Sequence, residues 1–131
     1  MTVIRPRPCG AVALALAVAL LAGASAAGDF LEAAEDLPLA PGLVEDHEAA
    51  MVFDKPGGRI VETSARGRHS SAAATAAFYS ETLPQLGWAS QASERAGGAV
   101  VLRFARAREA LSLVISESDG GVVVRFAITP R

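Results

Sequence analysis

Residues 70–88 read SSAAATAAFYSETLPQLGW, and the fold turns on this stretch. At about 100° per residue, Tyr79 at the centre of one face brings Ala72, Thr75, Ala76, Leu83 and Leu86 beside it, with Phe78 at the edge. Ala73, Ala77, Ser80, Glu81 and Gln85 fall opposite. Ser70 or Ser71 can accept an orphaned backbone N–H at the start. Gly87 can adopt the left-handed conformation that ends a helix and folds Trp88 back on Leu83. Pro84 removes one backbone bond in the last turn and bends it. The pattern predicts one amphipathic helix, with Tyr79 and Trp88 as core residues rather than an aromatic binding surface.

Strand-like runs flank this helix. Met51-Val52-Phe53, a turn at residues 54–58 and a second run at residues 59–66 predict a hairpin, with Pro56-Gly57 suited to a type II turn. After the helix, strands are expected at 88–93, 99–107, 110–117 and 122–129. Alternation places Val100, Leu102, Phe104, Leu111, Leu113, Ile115, Val122, Val124, Phe126 and Ile128 on one face, toward the helix. The expected fold is α+β: one main amphipathic helix packed on a mostly antiparallel sheet of about six strands, in the order β-β-α-β-β-β-β.

The opposite face presents Val101, Arg103, Ser112, Val114, Val123 and Arg125, with Ala105, Ser116 and Ala127. It carries little charge for a solvated sheet face, so these six residues are the candidate interaction face. The N-terminal segment, another subunit or an external partner could cover it; the expectation is partial cover by the N-terminal segment, with Glu45, Asp46 or Glu48 near the arginines.

The chain begins with an export signal by its pattern. Arg5 and Arg7 precede the apolar run 11–22, and Ala24-Ser25-Ala26 gives the small-x-small cleavage site. A cleavable signal peptide at 1–27, an acidic Pro-containing segment at 28–48 and one α+β domain at 49–131 are expected. Cleavage after Ala26 or Ala27 leaves about 105 residues, enough for one core. The single cysteine, Cys9, leaves with the signal, so the mature chain has no disulfide, thiol nucleophile or thiolate metal site. No adjacent arginine pair is present, which points to the general secretory route and a periplasmic or secreted protein with no stable membrane span after cleavage.

Removing Arg5 and Arg7 leaves ten basic against fourteen acidic residues, an acidic balance that argues against nucleic acid as partner. Glu45-Asp46-His47-Glu48 resembles a metal cluster, but consecutive residues seldom converge on one ion, so a solvated acidic loop is expected there. Gly57-Gly58-Arg59 precedes a strand rather than the helix a phosphate cradle needs. His69 with Ser70 or Ser71 is the nearest approach to a nucleophile and base, and it lacks an orienting third group. Catalytic, metal and cofactor residues are therefore expected to be none.

Two stretches, VFDKPGGRI at 52–60 and FYSETLPQLGW at 78–88, together resemble those of small exported bacterial proteins of unknown function. In that group a hairpin, a helix ending in Leu-Gly-Trp and a strand meander form one domain. The resemblance covers residues 36–131 and implies fold and export, with no activity attached. The resulting expectation is a non-enzymatic periplasmic module that binds or assists an envelope component, or that self-associates. The alternatives are a small apolar-ligand binding protein with its pocket between helix and sheet, and a hydrolase.

Overall fold

The computed structural model describes residues 2–3 and 29–131. The expected leader therefore lies, apart from residues 2–3, outside the described residues. Among the described residues seven strands and one helix follow in order: β1 (Val44–Lys55), β2 (Gly58–Gly67), α1 (Ala72–Gln85), β3 (Ala89–Ser90), β4 (Glu94–Ala96), β5 (Ala99–Arg106), β6 (Glu109–Ser118) and β7 (Gly121–Pro130). All strand pairs are antiparallel, in the order β1-β2-β7-β6-β5-β3, with β4 also on β5.

The strands take up 54% of the structure and the helix 13%, so the fold is nearly all-sheet. This corrects the expected helix-on-sheet α+β architecture. The physical reason is that α1 buries only Thr75, Tyr79 and Leu83, too little to cover a sheet of this width. A strap formed by residues 29–43 covers much of the remainder. It places Leu31, Ala34, Leu37, Leu39, Ala40 and Leu43 in the same core as the sheet and helix. The strap doubles back on itself, with Leu31 N donating to Leu37 O at 2.9 Å and Leu39 N to Asp29 O at 2.7 Å. It lies on the helix side of the sheet, not over the opposite face expected from the sequence.

Helix α1 ends as its residues dictate. Ser71 is the N-cap, its side chain accepting from Ala74 N at 3.1 Å. At the other end Gly87 has φ of 91°. Trp88 N donates to Leu83 O at 3.1 Å and Gly87 N to Pro84 O at 3.2 Å, the bond pair of a Schellman stop. Leu83 and Trp88 are both fully buried. Leu86, expected on the buried face, is 38% exposed, because the chain leaves the helical path at that point.

The strand expected at 88–93 is instead split. Only Ala89 and Ser90 pair with β5, and the chain then forms a separate hairpin, β4–β5, through Gly97 and Gly98. Both glycines have positive φ, at 57° and 83°, which suits a two-residue type I′ loop. Strand β1 begins at Val44, seven residues before the expected hairpin strand. Glu45, expected in a solvated loop, is 7% exposed. Its carboxylate accepts from Glu32 N at 2.6 Å, Ala33 N at 3.2 Å and Thr63 Oγ1 at 3.0 Å.

Two further polar contacts hold the strap. The Tyr79 hydroxyl donates to Pro38 O at 2.8 Å and accepts from Ala40 N at 3.0 Å, and burial raises its pKa above the ordinary phenol value. Asp36 accepts from Arg59 at 2.7 Å and also from Arg106. Arg59 and Arg106 in turn meet Glu109, and the Arg106 guanidinium lies 4.1 Å from the Trp88 ring centroid. This four-charge group closes one end of the core.

Burial pushes the Asp36 carboxyl up, but hydrogen bonds from Arg59 and Arg106 and the Arg59 charge outweigh it and hold its pKa below the ordinary value. A depressed folded-state pKa contributes stability that is complete above the unfolded value of about 3.9 and is lost as pH falls through the folded value. Asp36→Asn is expected to cost about 1–2 kcal/mol at neutral pH. In urea unfolding followed across pH, the difference from wild type is expected to shrink as pH falls below about 3.9. A difference that stays constant to lower pH would contradict this role.

Candidate functional site

The sheet face away from the helix and strap is built from cross-strand rows. One row runs Glu94, Val101, Val114, Arg125, Ser64, Asp46 from β4 to β1. A second runs Arg103, Ser112, Ala127, Glu62, Met51. A third runs Ser116, Val123, Arg66, Val44. Alternation sends the large apolar neighbours Leu102, Leu113, Val124 and Phe126 to the core and leaves a mixture of charged, small and aliphatic side chains outside.

The structure places all six sequence-derived face residues, Val101, Arg103, Ser112, Val114, Val123 and Arg125, on this one surface. They differ in what they offer. Val101 is buried at 8% exposure, and Arg103 Nη1 donates to Glu94 Oε1 at 2.7 Å. Ser112, Val114 and Val123 are half-buried, and Arg125 is exposed.

Arg66 was not among the candidates. Its row neighbour is Val123, and Ser64, two residues before it, faces Arg125, so the two guanidinium-bearing residues are diagonal neighbours. Among the described residues neither Arg66 nor Arg125 has an ion-pair partner within 4.0 Å. The alternation of Glu62, Ser64 and Arg66 gives its face, but only the β2–β7 pairing sets it beside Arg125.

Two open depressions lie on this surface. One, of about 520 Å³, is bordered by Asp46, Glu62, Ser64, Arg66, Val114 and Arg125. The other, of about 450 Å³, lies over Arg103, Ala105, Ala110 and Thr129. Both include Ser112 and Ala127, so the small side chains of the second row join them into one shallow trough. The trough can seat an extended apolar segment and present two guanidiniums to an anionic group.

A third depression, of about 650 Å³, lies at the N-terminus of α1 beside His69, Ser70 and Ser71. The Ser71 hydroxyl is engaged as the helix cap, Ser70 Oγ donates to Pro41 O at 3.5 Å, and Glu117 accepts from Ala72 N at 3.0 Å. These contacts complete the helix end. His47 Nδ1 lies 3.1 Å from Glu32 Oε2, and Glu45 turns inward, so the acidic run does not converge on one point. Among the described residues no group of three His, Cys, Asp or Glu side chains is placed to hold a metal ion, and no helix is long and apolar enough to cross a membrane. No family model matches the chain, and comparisons with curated proteins and with solved structures return no match.

Proposed function

We propose that this chain is an exported, non-catalytic binding module whose working surface is the outer face of the sheet. Its partner is an extended segment of an envelope protein, aliphatic along its length and carrying a carboxylate for Arg66 and Arg125. One observation carries this reading: among the described residues Arg66 and Arg125, diagonal neighbours on β2 and β7, have no ion-pair partner within 4.0 Å and border a depression beside the half-buried Ser112, Val114 and Val123. Apolar contact supplies affinity at such a surface, while the charges fix orientation and register. The leader pattern at 1–27 and the resemblance to small exported proteins support the location.

The test is purification of the tagged protein from the cell envelope after mild crosslinking, beside Val114→Asp and Arg125→Glu. Each variant places a carboxylate in the first depression of the trough. Both are expected to retain the wild-type melting temperature within a few degrees, because the altered side chains lie on the solvent side. Both are expected to lose the wild-type partner by about tenfold or more. The same partner recovered equally with both variants would contradict the proposal.

A further inference from the structure

The trough does not account for the sheet's free edge. Among the described residues β1 pairs only with β2, so its other side carries unpaired backbone groups. The register slips between Asp46 and Met51 and is regular from Met51 to Lys55. The slip marks a bulge, a usual way to blunt an edge, but it protects only residues 47–50. Beyond it, three consecutive apolar residues are open to solvent: Met51 at 43%, Val52 at 51% and Phe53 at 52%. The opposite edge is different, since β3 has 2 residues and β4 has 3.

We propose that the chain forms a two-fold symmetric dimer in which residues 51–53 of β1 pair antiparallel with the same residues of a second copy, centred on Val52. The argument is self-complementarity of the exposed triplet 51–53. Centred on Val52, the pairing sets Val52 against Val52 and Met51 against Phe53 of the other copy, twice over. Cross-strand apolar pairs and thioether–aromatic contacts are favourable there. Asp54 and Lys55 then come toward Ala50 and Ala49 at the end of the bulge, so no like charges oppose. Moving the centre to Phe53 sets Asp54 against Val52 and Lys55 against Met51, and draws Pro56, which has no N–H, toward the ladder. Moving it to Met51 opposes Asp54 to Glu48. An isologous pairing closes on itself and consumes the free edge. One strand pair buries less than the roughly 1,200 Å² of a standard interface, so the dimer is expected to be weak, dissociating in the micromolar range or above. The proposal rests on the backbone edge of β1, which borders the trough through Met51, and it does not depend on the function assigned to that trough.

The test is light scattering on the purified chain from micromolar to millimolar concentration, with hydrogen exchange on the same samples. The expected mass rises with concentration to twice that of one chain. Exchange protection that grows with concentration is expected to be confined to residues 50–54. Val52→Lys, which places a charge at the dyad, is expected to weaken association by more than about tenfold while leaving the melting curve unchanged. A single-chain mass throughout would overturn the proposal and leave the edge open to a strand from another protein. A dimer without added protection at 50–54, or assembly continuing past two copies, would also overturn it. The exchange measurement decides the matter even if Val52→Lys fails to fold.

Discussion

Trp88→Ala is expected to destabilise the protein by about 3–5 kcal/mol, the range for truncating a large aromatic in a packed core. Trp88 is fully buried and occupies the point where the helix stop, β3 and the four-charge group meet. Its backbone N–H closes the helix end on Leu83 O, and its ring carries the Arg106 guanidinium at 4.1 Å. Truncation removes the packing and leaves that guanidinium without its aromatic surface, while the backbone bond can persist. A domain of this size has about 5–15 kcal/mol in total, so the variant should be partly unfolded at moderate temperature. Chemical unfolding followed by far-UV circular dichroism measures the loss, since Trp88 is the only tryptophan and its fluorescence disappears with it. Trp88→Phe is expected to recover part of the loss. A cost below about 1 kcal/mol for Trp88→Ala would mean that the ring is not packed as described.

The second large effect lies in the strap. Leu37 is 1% exposed and belongs to the common core, and its backbone donates to Ala34 O at 2.9 Å while its carbonyl accepts from Leu31 N. Leu37→Ala is expected to cost about 2–5 kcal/mol, as much as a leucine within the strands. A segment merely draped on the surface would give within about 0.5 kcal/mol of wild type. The same urea titration separates the two outcomes.

The helix and the two sheet faces were legible because their signals are local. Ser71, Gly87 and Trp88 bound α1 within a few residues, and strict alternation from Val100 to Ile128 separates core from surface without knowledge of strand order. The strap was not legible. Its leucines at 31, 37, 39 and 43 follow no single helical or strand period and are interrupted by Pro38 and Pro41, so nothing local says which face they join. The expected helix-on-sheet architecture failed for that reason: it assigned the whole inner face to an alanine-rich helix. Glu45 was misread because an acidic run looks solvated until Thr63 and the strap's N–H groups supply its partners. The Arg66–Arg125 neighbourhood depends on β2 pairing with β7 across α1 and four intervening strands, a long-range contact that periodicity does not encode.

The proposal that the outer trough is the working surface is tested most directly by site-specific photo-crosslinking. A photoreactive residue at Ala127, in the middle of the trough, is compared in the cell envelope with one at Glu81, on the exposed side of α1. The expected result is one dominant crosslinked protein from position 127, joined through an extended segment with aliphatic and acidic residues, and none from position 81. Crosslinking from position 81 but not 127, or from neither, would contradict the outer face as the working surface.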